Sequence, residues 1–465
     1  MCGIIGVTAV PDAARQVYLG LYSLQHRGQE AAGIVAVDGE GVARSHRGMG
    51  LVSDGFNETV LAGLPGDVAI GHTRYSTAGT SVLANAQPML ARYREGPLAL
   101  AHNGNLTNAI QLRADLVNKG SIFQSSSDTE VLLHLIARSE AREPEDQLLD
   151  ALERVEGAYS LLVTIGRTLY AVMDPRGFRP LALGRLGDGW VVASETCALD
   201  IVGATLVREL EPGDFLRIQG SQLDNLPPLA PKPHRRCVFE LVYFSRPDSR
   251  VFTRSVDGVR RALGRELARE HPAPGADCVF SVPDSSNAMA LGFSEASGLK
   301  LEHALIRNHY VGRTFIQPLQ AGRTARVKIK FNPVREVLEG KNVVVVDDSI
   351  VRGTTSKALV QLIRHAGAKQ VHLRVASPPI TGPCYYGIDT PTKAELIGSN
   401  HSVEEIRRHL GVDTLGYLSL EGMLRSAGGD PTEFCHACFS GEYPTEIPGG
   451  AEDARHAEPV LVAIS

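Results

Sequence analysis

Residues 343–356 read VVVVDDSIVRGTTS. Four consecutive valines make a strand without a polar face, so both of its sides must be covered. The strand ends in two adjacent carboxylates, Asp347 and Asp348. A loop carrying glycine and hydroxyl residues then runs into a helix whose pattern starts near Ser356. Free N–H groups at a helix N-terminus, next to Thr and Ser hydroxyls, form a cradle for a phosphate. No GK[ST] follows the glycine, so this is not a Walker loop. The two acids upstream suit sugar hydroxyls and an associated Mg²⁺.

The neighbouring pattern extends this reading. DCVFSVP (277–283), NVVVVDD (342–348) and VHLRVAS (371–377) are apolar strands separated by helical stretches. That arrangement predicts a mostly parallel sheet covered on both faces. GRTARVKIK (322–330) places Arg323, Arg326, Lys328 and Lys330 among small residues, a basic segment suited to closing over a diphosphate. Upstream, residues 220–236 contain four prolines in seventeen positions and read as an extended connector. Before this connector the style differs. A helix from Ala13 puts Ala14, Val17, Leu21 and Leu24 on one face. AAGIVAV (31–37), VAIGHTR (68–74), LALAHNG (98–104) and AYSLLVTI (158–165) read as strands, and 105–119 and 129–140 as helices. Strands outnumber crossover helices here, which predicts a layered α+β sandwich. The tail after Pro448 is small, polar and aperiodic, and is expected to fray.

A chain of 465 residues exceeds one ordinary core and suggests two to three domains. Its 47 basic and 52 acidic residues leave no broad cationic surface, which argues against general nucleic-acid binding. No run reaches the length of a membrane span and the start lacks a basic n-region, so a soluble, cytoplasmic protein is expected. Seven cysteines in that setting point to chemistry or metal rather than disulfides.

The chain opens MCGIIGV, with Cys2 directly before an apolar strand. Cys2 is either a buried strand residue or, once Met1 is removed, a nucleophile whose own α-amine takes the thiol proton. That amine's ordinary pKa of about 7.7–8.0 suits a base. Three further stretches combine rare residue choices with glycine-rich turns: QHRGQEAAG (25–33), GHTRYSTAG (71–79) and HNGNL (102–106). SSSDTE (125–130) follows them. Asn103 and the N–H of Gly104 can donate to an oxyanion, each donor worth roughly 3–4 kcal/mol of barrier. Arg74 offers a fork for a carboxylate and Asp128 a counter-charge for an ammonium. Alone, these read as a turn, a solvated charge and a helix N-cap.

Together with Cys2, however, the four stretches resemble the class II glutamine amidotransferases over residues 2–222, with motif order preserved. The resemblance implies Cys2 as nucleophile, Asn103 and Gly104 as oxyanion hole, and Arg74 and Asp128 as glutamine-binding, with Arg27 of QHRGQE in support. The string at 343–356 is similar to the type I phosphoribosyltransferase signature. It implies phosphoribosyl pyrophosphate on Asp347, Asp348, Ser349, Arg352, Gly353, Thr354 and Thr355, with Arg326 and Lys328 on the diphosphate. The same likeness places Mg²⁺ at Ser285, Asp347 and Asp348. Residues 2–447 as a whole resemble the amidophosphoribosyltransferases. The implied order is an N-terminal-nucleophile αββα glutaminase domain (2–222), a linker (223–236), an α/β phosphoribosyltransferase domain (237–447) and a flexible tail (448–465). The family also implies 5-phosphoribosylamine as product, the first committed step of purine synthesis. It further implies an internal ammonia channel, a homotetramer and inhibition by purine nucleotides.

FCHACF (434–439) sets Cys435 and Cys438 in a C-x-x-C, which alone reads as redox, zinc or neither. Cys237 and Cys384 are available partners, and four thiolates suit a [4Fe–4S] cluster or zinc. One subgroup of the family carries a [4Fe–4S] cluster, and these four positions match its ligands. Members of that subgroup often have a propeptide before the cysteine; here Met1 alone precedes it. Cys197 and Cys278 read as ordinary buried thiols. Two other readings remain: an amidotransferase with a different acceptor, and a catalytically silent iron–sulfur regulator that binds phosphoribosyl pyrophosphate.

Overall fold

The computed structural model describes residues 1–75, 81–308 and 329–447. Alternation along β1 (Gly3–Thr8) sends Ile5 and Val7 to one side and Ile4 to the other, and all three are fully buried. β2 (Ala31–Val37) does the same with Ile34 and Val35, and both strands pair antiparallel with β3 (Val68–Arg74). Strands apolar on both faces need two covering layers. On one side lies a six-stranded sheet containing β4 (Gly96–Leu106) and its antiparallel partner β5 (Gly157–Ile165). Ile4, Val35 and Ile70 meet Ala99, Ala101 and Leu162 between the sheets. On the other side α1 (Ala13–Ser23) packs Val17 and Leu21 onto the seven-stranded sheet that holds β1 to β3. Gly71 permits that approach, since a Cβ there would stand 2.4 Å from Val17. Helices Ala109–Asn118, Thr129–Arg138 and Pro144–Leu152 cover the outer face of the second sheet. The order is helix, sheet, sheet, helix, the layered α+β sandwich that strand-rich patterning predicts.

The second half is a doubly covered α/β unit. β6 (Cys278–Ser281), β7 (Asn342–Asp347) and β8 (Gln370–Val375) run parallel, with Lys300–Leu301 and Thr414–Tyr417 at the edges. Val344 and Val346 face the core under α2 (Val256–Glu270), and Val343 and Val345 face the core under α3 (Thr354–His365). Each valine buried this way contributes roughly 1.5–3 kcal/mol.

Three boundaries differ from expectation. The helix after the phosphate loop starts at Thr354, because Gly353 at φ +73° turns the chain directly into it. The helix expected over 105–119 begins at Ala109, because Asn105 and Leu106 complete β4 opposite Ala158 and Gly157. In the proline-rich run, Gln222–Asn225 pairs as an edge strand and Leu229 is buried against the first half. Among the described residues no helix is long and apolar enough to cross a membrane. Arg323, Arg326, Lys328 and the tail 448–465 lie outside the described residues.

Candidate active site

Cys2 lies at the entrance to β1, where the register Gly3↔Thr73 puts it beside the end of β3 and Arg74. Its main-chain nitrogen donates to Asn103 Oδ1 at 3.1 Å, its thiol approaches the Tyr75 carbonyl at 3.7 Å, and its carbonyl accepts from Arg27 Nε at 2.9 Å. Cys2 and Asn103 are both buried. Asn103 Nδ2 has no hydrogen-bond partner among the described residues. A buried polar group left unpaired costs about 1–3 kcal/mol.

Gly104 follows at φ +154°, and a Cβ there would fall 2.0 Å from the Ala158 carbonyl oxygen. No other residue fits this turn. A loop from the second half presses on it: Asn105 Nδ2 donates to the Tyr385 carbonyl at 2.9 Å, and Gly387 lies against the Gly104 main chain. Asp128 precedes helix Thr129–Arg138 and accepts from the Leu106 N–H at 2.9 Å, so it braces the end of the same strand. Gly28 lets the QHRG turn approach Arg74, where a Cβ would meet the main chain at 2.5 Å.

Two histidines in the quoted motifs had no role in the sequence reading. His72 Nε2 lies 3.2 Å from the His102 carbonyl, which can only accept, so Nε2 carries the proton. Burial, then the charge of Arg74, lowers the His72 pKa to about 3, so it stays neutral. His102 bridges Thr129 Oγ1 and the Ala158 carbonyl at 3.1 Å each, locking the strand that presents Asn103.

Arg27 is fully buried and spends every nitrogen on the protein itself. Nε reaches the Cys2 carbonyl, Nη1 reaches Glu195 and Glu240 at 2.5 and 3.1 Å, and Nη2 reaches Glu240 at 2.8 Å. The resemblance sets Arg27 beside the glutamine contacts in support, and the geometry gives that support as a hold on the Cys2 main chain. Glu195 and Glu240, 168 and 213 residues from Arg27, had no role in the sequence reading. Against the cost of burial, His26 and Arg27 hold Glu195 well below the usual carboxylate range.

In the second half, Asp347 ends β7, Asp348 follows it, and both are buried. Ser285 Oγ donates to Asp348 Oδ2 at 2.5 Å and Ser349 Oγ to Asp348 Oδ1 at 2.6 Å. Ser286, unassigned from sequence, reaches both acids at 3.4–3.5 Å. Burial, and then the charge of Asp348, pushes Asp347 well above its ordinary range; burial also raises Asp348. Two buried acids with adjacent hydroxyls form an oxygen donor set that suits a hard divalent cation. Thr354 and Thr355 form the first turn of α3. Arg352, expected on the phosphate, pairs instead with Glu395 at 3.0 Å on the exposed side of the loop. Burial, then the charge of Arg307, lowers the pKa of Lys330, the described end of the basic segment, against the pull of Asp284, Asp347 and Asp348.

Cys237 and Cys435 sit opposite each other on a short parallel strand pair, and the Tyr386 N–H lies 3.3 Å from Cys384 Sγ. Burial, then the neighbouring thiols, raises Cys435 and Cys438; burial pushes Cys237 up to about 11, with Arg179 opposing. All four are free thiols. Among the described residues no three His, Cys, Asp or Glu side chains are set to grip a single metal ion. Cys197 and Cys278 are buried thiols.

Comparison with known proteins accords with both halves. A glutamine amidotransferase domain family matches residues 72–200. Amidophosphoribosyltransferase 2, chloroplastic, of Arabidopsis thaliana is 53% identical over 96% of this chain and 79% of its own length. The amidophosphoribosyltransferase of Bacillus subtilis is 51% identical over 96% of this chain and 94% of its own. This chain belongs to the amidophosphoribosyltransferases. A solved structure of the family, the glutamine phosphoribosylpyrophosphate amidotransferase from B. subtilis complexed with ADP and GMP, superposes with a TM-score of 0.91. It is 50% identical and matches over 97% of this chain and 99% of its own. As an amidophosphoribosyltransferase, the chain joins a glutaminase half to a phosphoribosyltransferase half.

Proposed function

We propose that Cys2 releases ammonia from glutamine and that the second half joins this ammonia to phosphoribosyl pyrophosphate, giving 5-phosphoribosylamine, pyrophosphate and glutamate. The observation that carries the first half is Asn103, whose Oδ1 holds the Cys2 nitrogen while its Nδ2 is buried and unpaired. A donor kept unpaired beside a thiol is placed for the oxyanion of a tetrahedral intermediate. Met1 must leave first. Its amino group is fully buried, and burial lowers its pKa to about 6. The freed α-amine takes the thiol proton, Sγ attacks the glutamine amide carbon, and the same proton goes to the departing ammonia. Water then hydrolyses the thioester to glutamate. Asn103 Nδ2 and the Gly104 N–H stabilise both oxyanions, Arg74 and Asp128 hold the glutamine ends, and Arg27 fixes the Cys2 carbonyl.

In the second half the 5′-phosphate rests on Ser349, Gly353, Thr354 and Thr355 at the start of α3, with ribose hydroxyls on Asp347 and Asp348. Ser285 and the two aspartates would hold Mg²⁺, which supplies positive charge to the departing pyrophosphate. Arg326, Lys328 and Lys330 serve the same diphosphate. Arg352 acts from outside the cradle or changes partner from Glu395.

The thiols of Cys237, Cys384, Cys435 and Cys438 would hold a [4Fe–4S] cluster, whose role is to tie the linker end to the C-terminal region. Four sulfur donors suit it, those of Cys237 and Cys435 buried and those of Cys384 and Cys438 partly buried, and a cluster of several atoms needs wider ligand spacing than one ion does. Purine nucleotides acting on a homotetramer are the proposed regulators, supported by the ADP and GMP named for the B. subtilis relative. The test is Cys2→Ala. Glutamine-dependent pyrophosphate release should vanish while ammonia-dependent release persists. Loss of both in a folded variant contradicts the division of labour.

A further inference from the structure

Arg27, Arg179, Glu195 and Glu240 form a buried group of two cations and two anions, each with a fully buried side chain. Glu240 belongs to the second half, at the start of the short turn Glu240–Phe244, and its carboxylate crosses to the first half. Its Oε1 accepts from Arg27 and Arg179, and its Oε2 from Arg27 and, at 2.9 Å, from Ser245 Oγ. One guanidinium therefore separates a carboxylate of the phosphoribosyl half from the main chain of the nucleophile.

The same stretch is anchored at its far end and along its middle. Glu195 Oε2 accepts from the Arg246 N–H at 2.9 Å and from Ser249 Oγ at 2.7 Å. Arg260, on α2, donates to the Leu241 carbonyl at 3.1 Å and the Ser245 carbonyl at 2.7 Å. Burial lowers the Arg260 guanidinium's pKa, and the charge of Asp348 opposes this. Residues 240–249 thus carry an ion pair to Arg27 at one end and hydrogen bonds to Glu195 at the other, and their middle is held by Arg260.

Such a group is a poor device for stability alone, because apolar residues of similar size hold a core as well or better. It is a good device for register. The guanidinium is planar and rigid, so when Arg27 follows Glu240 its Nε moves relative to the Cys2 carbonyl. We propose that Glu240 is a positioning residue for Cys2, and that through Arg27 it passes the state of the phosphoribosyl site to the glutaminase site. This inference rests on the function proposed above.

The test measures glutamine hydrolysis with and without phosphoribosyl pyrophosphate and Mg²⁺, alongside ammonia-dependent pyrophosphate release, in the parent, Glu240→Gln and Ser245→Ala. In Glu240→Gln, stimulated hydrolysis should fall about tenfold or more in kcat, as expected for a displaced nucleophile. Its glutamine KM and its ammonia-dependent release should stay within about twofold of the parent. Ser245→Ala, which removes one hydrogen bond and no charge, should shift the same quantities in the same direction by about threefold. A folded Glu240→Gln that keeps parental stimulation overturns the proposal. So does a Ser245→Ala that loses both activities equally or neither; it decides alone where Glu240→Gln fails to fold. A parent without glutamine hydrolysis overturns the underlying functional reading, and this inference with it.

Discussion

The main-chain nitrogen of Cys2 donates to Asn103 Oδ1 at 3.1 Å, while Asn103 Nδ2, at the other corner of the same amide, meets no partner among the described residues. One side chain both fixes the nucleophile and keeps a donor for the reaction. Asn103→Ala should lower glutamine-dependent turnover by about 10²–10³-fold, the usual loss for an oxyanion donor. Ammonia-dependent synthesis should be unchanged. Steady-state assays with the two nitrogen sources check this, and equal loss in both contradicts it.

Gly387 lies at φ +104°, and a Cβ there would stand 2.9 Å from the Gly104 main chain. Gly387→Ala should push the oxyanion turn away from Cys2, costing glutaminase activity about tenfold. Gly411 is the control. It has φ +74° but open space around it, so Gly411→Ala should cost about 1 kcal/mol of stability and leave turnover alone. Glutamate release and thermal unfolding on the two variants separate steric intrusion from backbone strain.

His72 gives the acid side of the stability profile. Its pKa of about 3 in the fold lies below the ordinary histidine value of about 6.5, so the unfolded chain takes the proton first. Its contribution is complete above pH 6.5 and is lost as pH falls toward 3, by at most about 5 kcal/mol. His72→Gln keeps a donor for the His102 carbonyl and removes the titration. Its unfolding midpoint should decline less steeply than the parent's below pH 6.5. Parallel declines would sink the assignment.

Local chemistry was legible in the sequence wherever one segment carried the whole signal. AAGIVAV and VAIGHTR became strands over their full length, because their small and β-branched residues are buried on both faces. The valines of 343–346 marked a doubly covered strand, and Asp348, the second acid after them, accepts from Ser285 Oγ. Long-range relations were not legible. Asn105 and Leu106 look like the start of a helix until β5 pairs with them. The meaning of Glu195 and Glu240 depends on Arg27, far away in the chain. The outward turn of Arg352 depends on Glu395, which only the fold brings near.

The four thiols make a prediction about metal content. Anaerobically purified protein should carry about four iron and four sulfide per chain with broad visible absorbance, and Cys438→Ser should lose both. Iron and acid-labile sulfide analysis, read with the spectrum, checks this. Stoichiometric zinc without iron contradicts it.

The central claim is that one chain couples glutamine hydrolysis to phosphoribosyl transfer. The most direct measurement is glutamate release from glutamine by anaerobically purified protein, with and without phosphoribosyl pyrophosphate and Mg²⁺, with pyrophosphate followed in parallel. Strong stimulation with matching pyrophosphate release is the predicted result. Hydrolysis indifferent to phosphoribosyl pyrophosphate, with no pyrophosphate released, would contradict it.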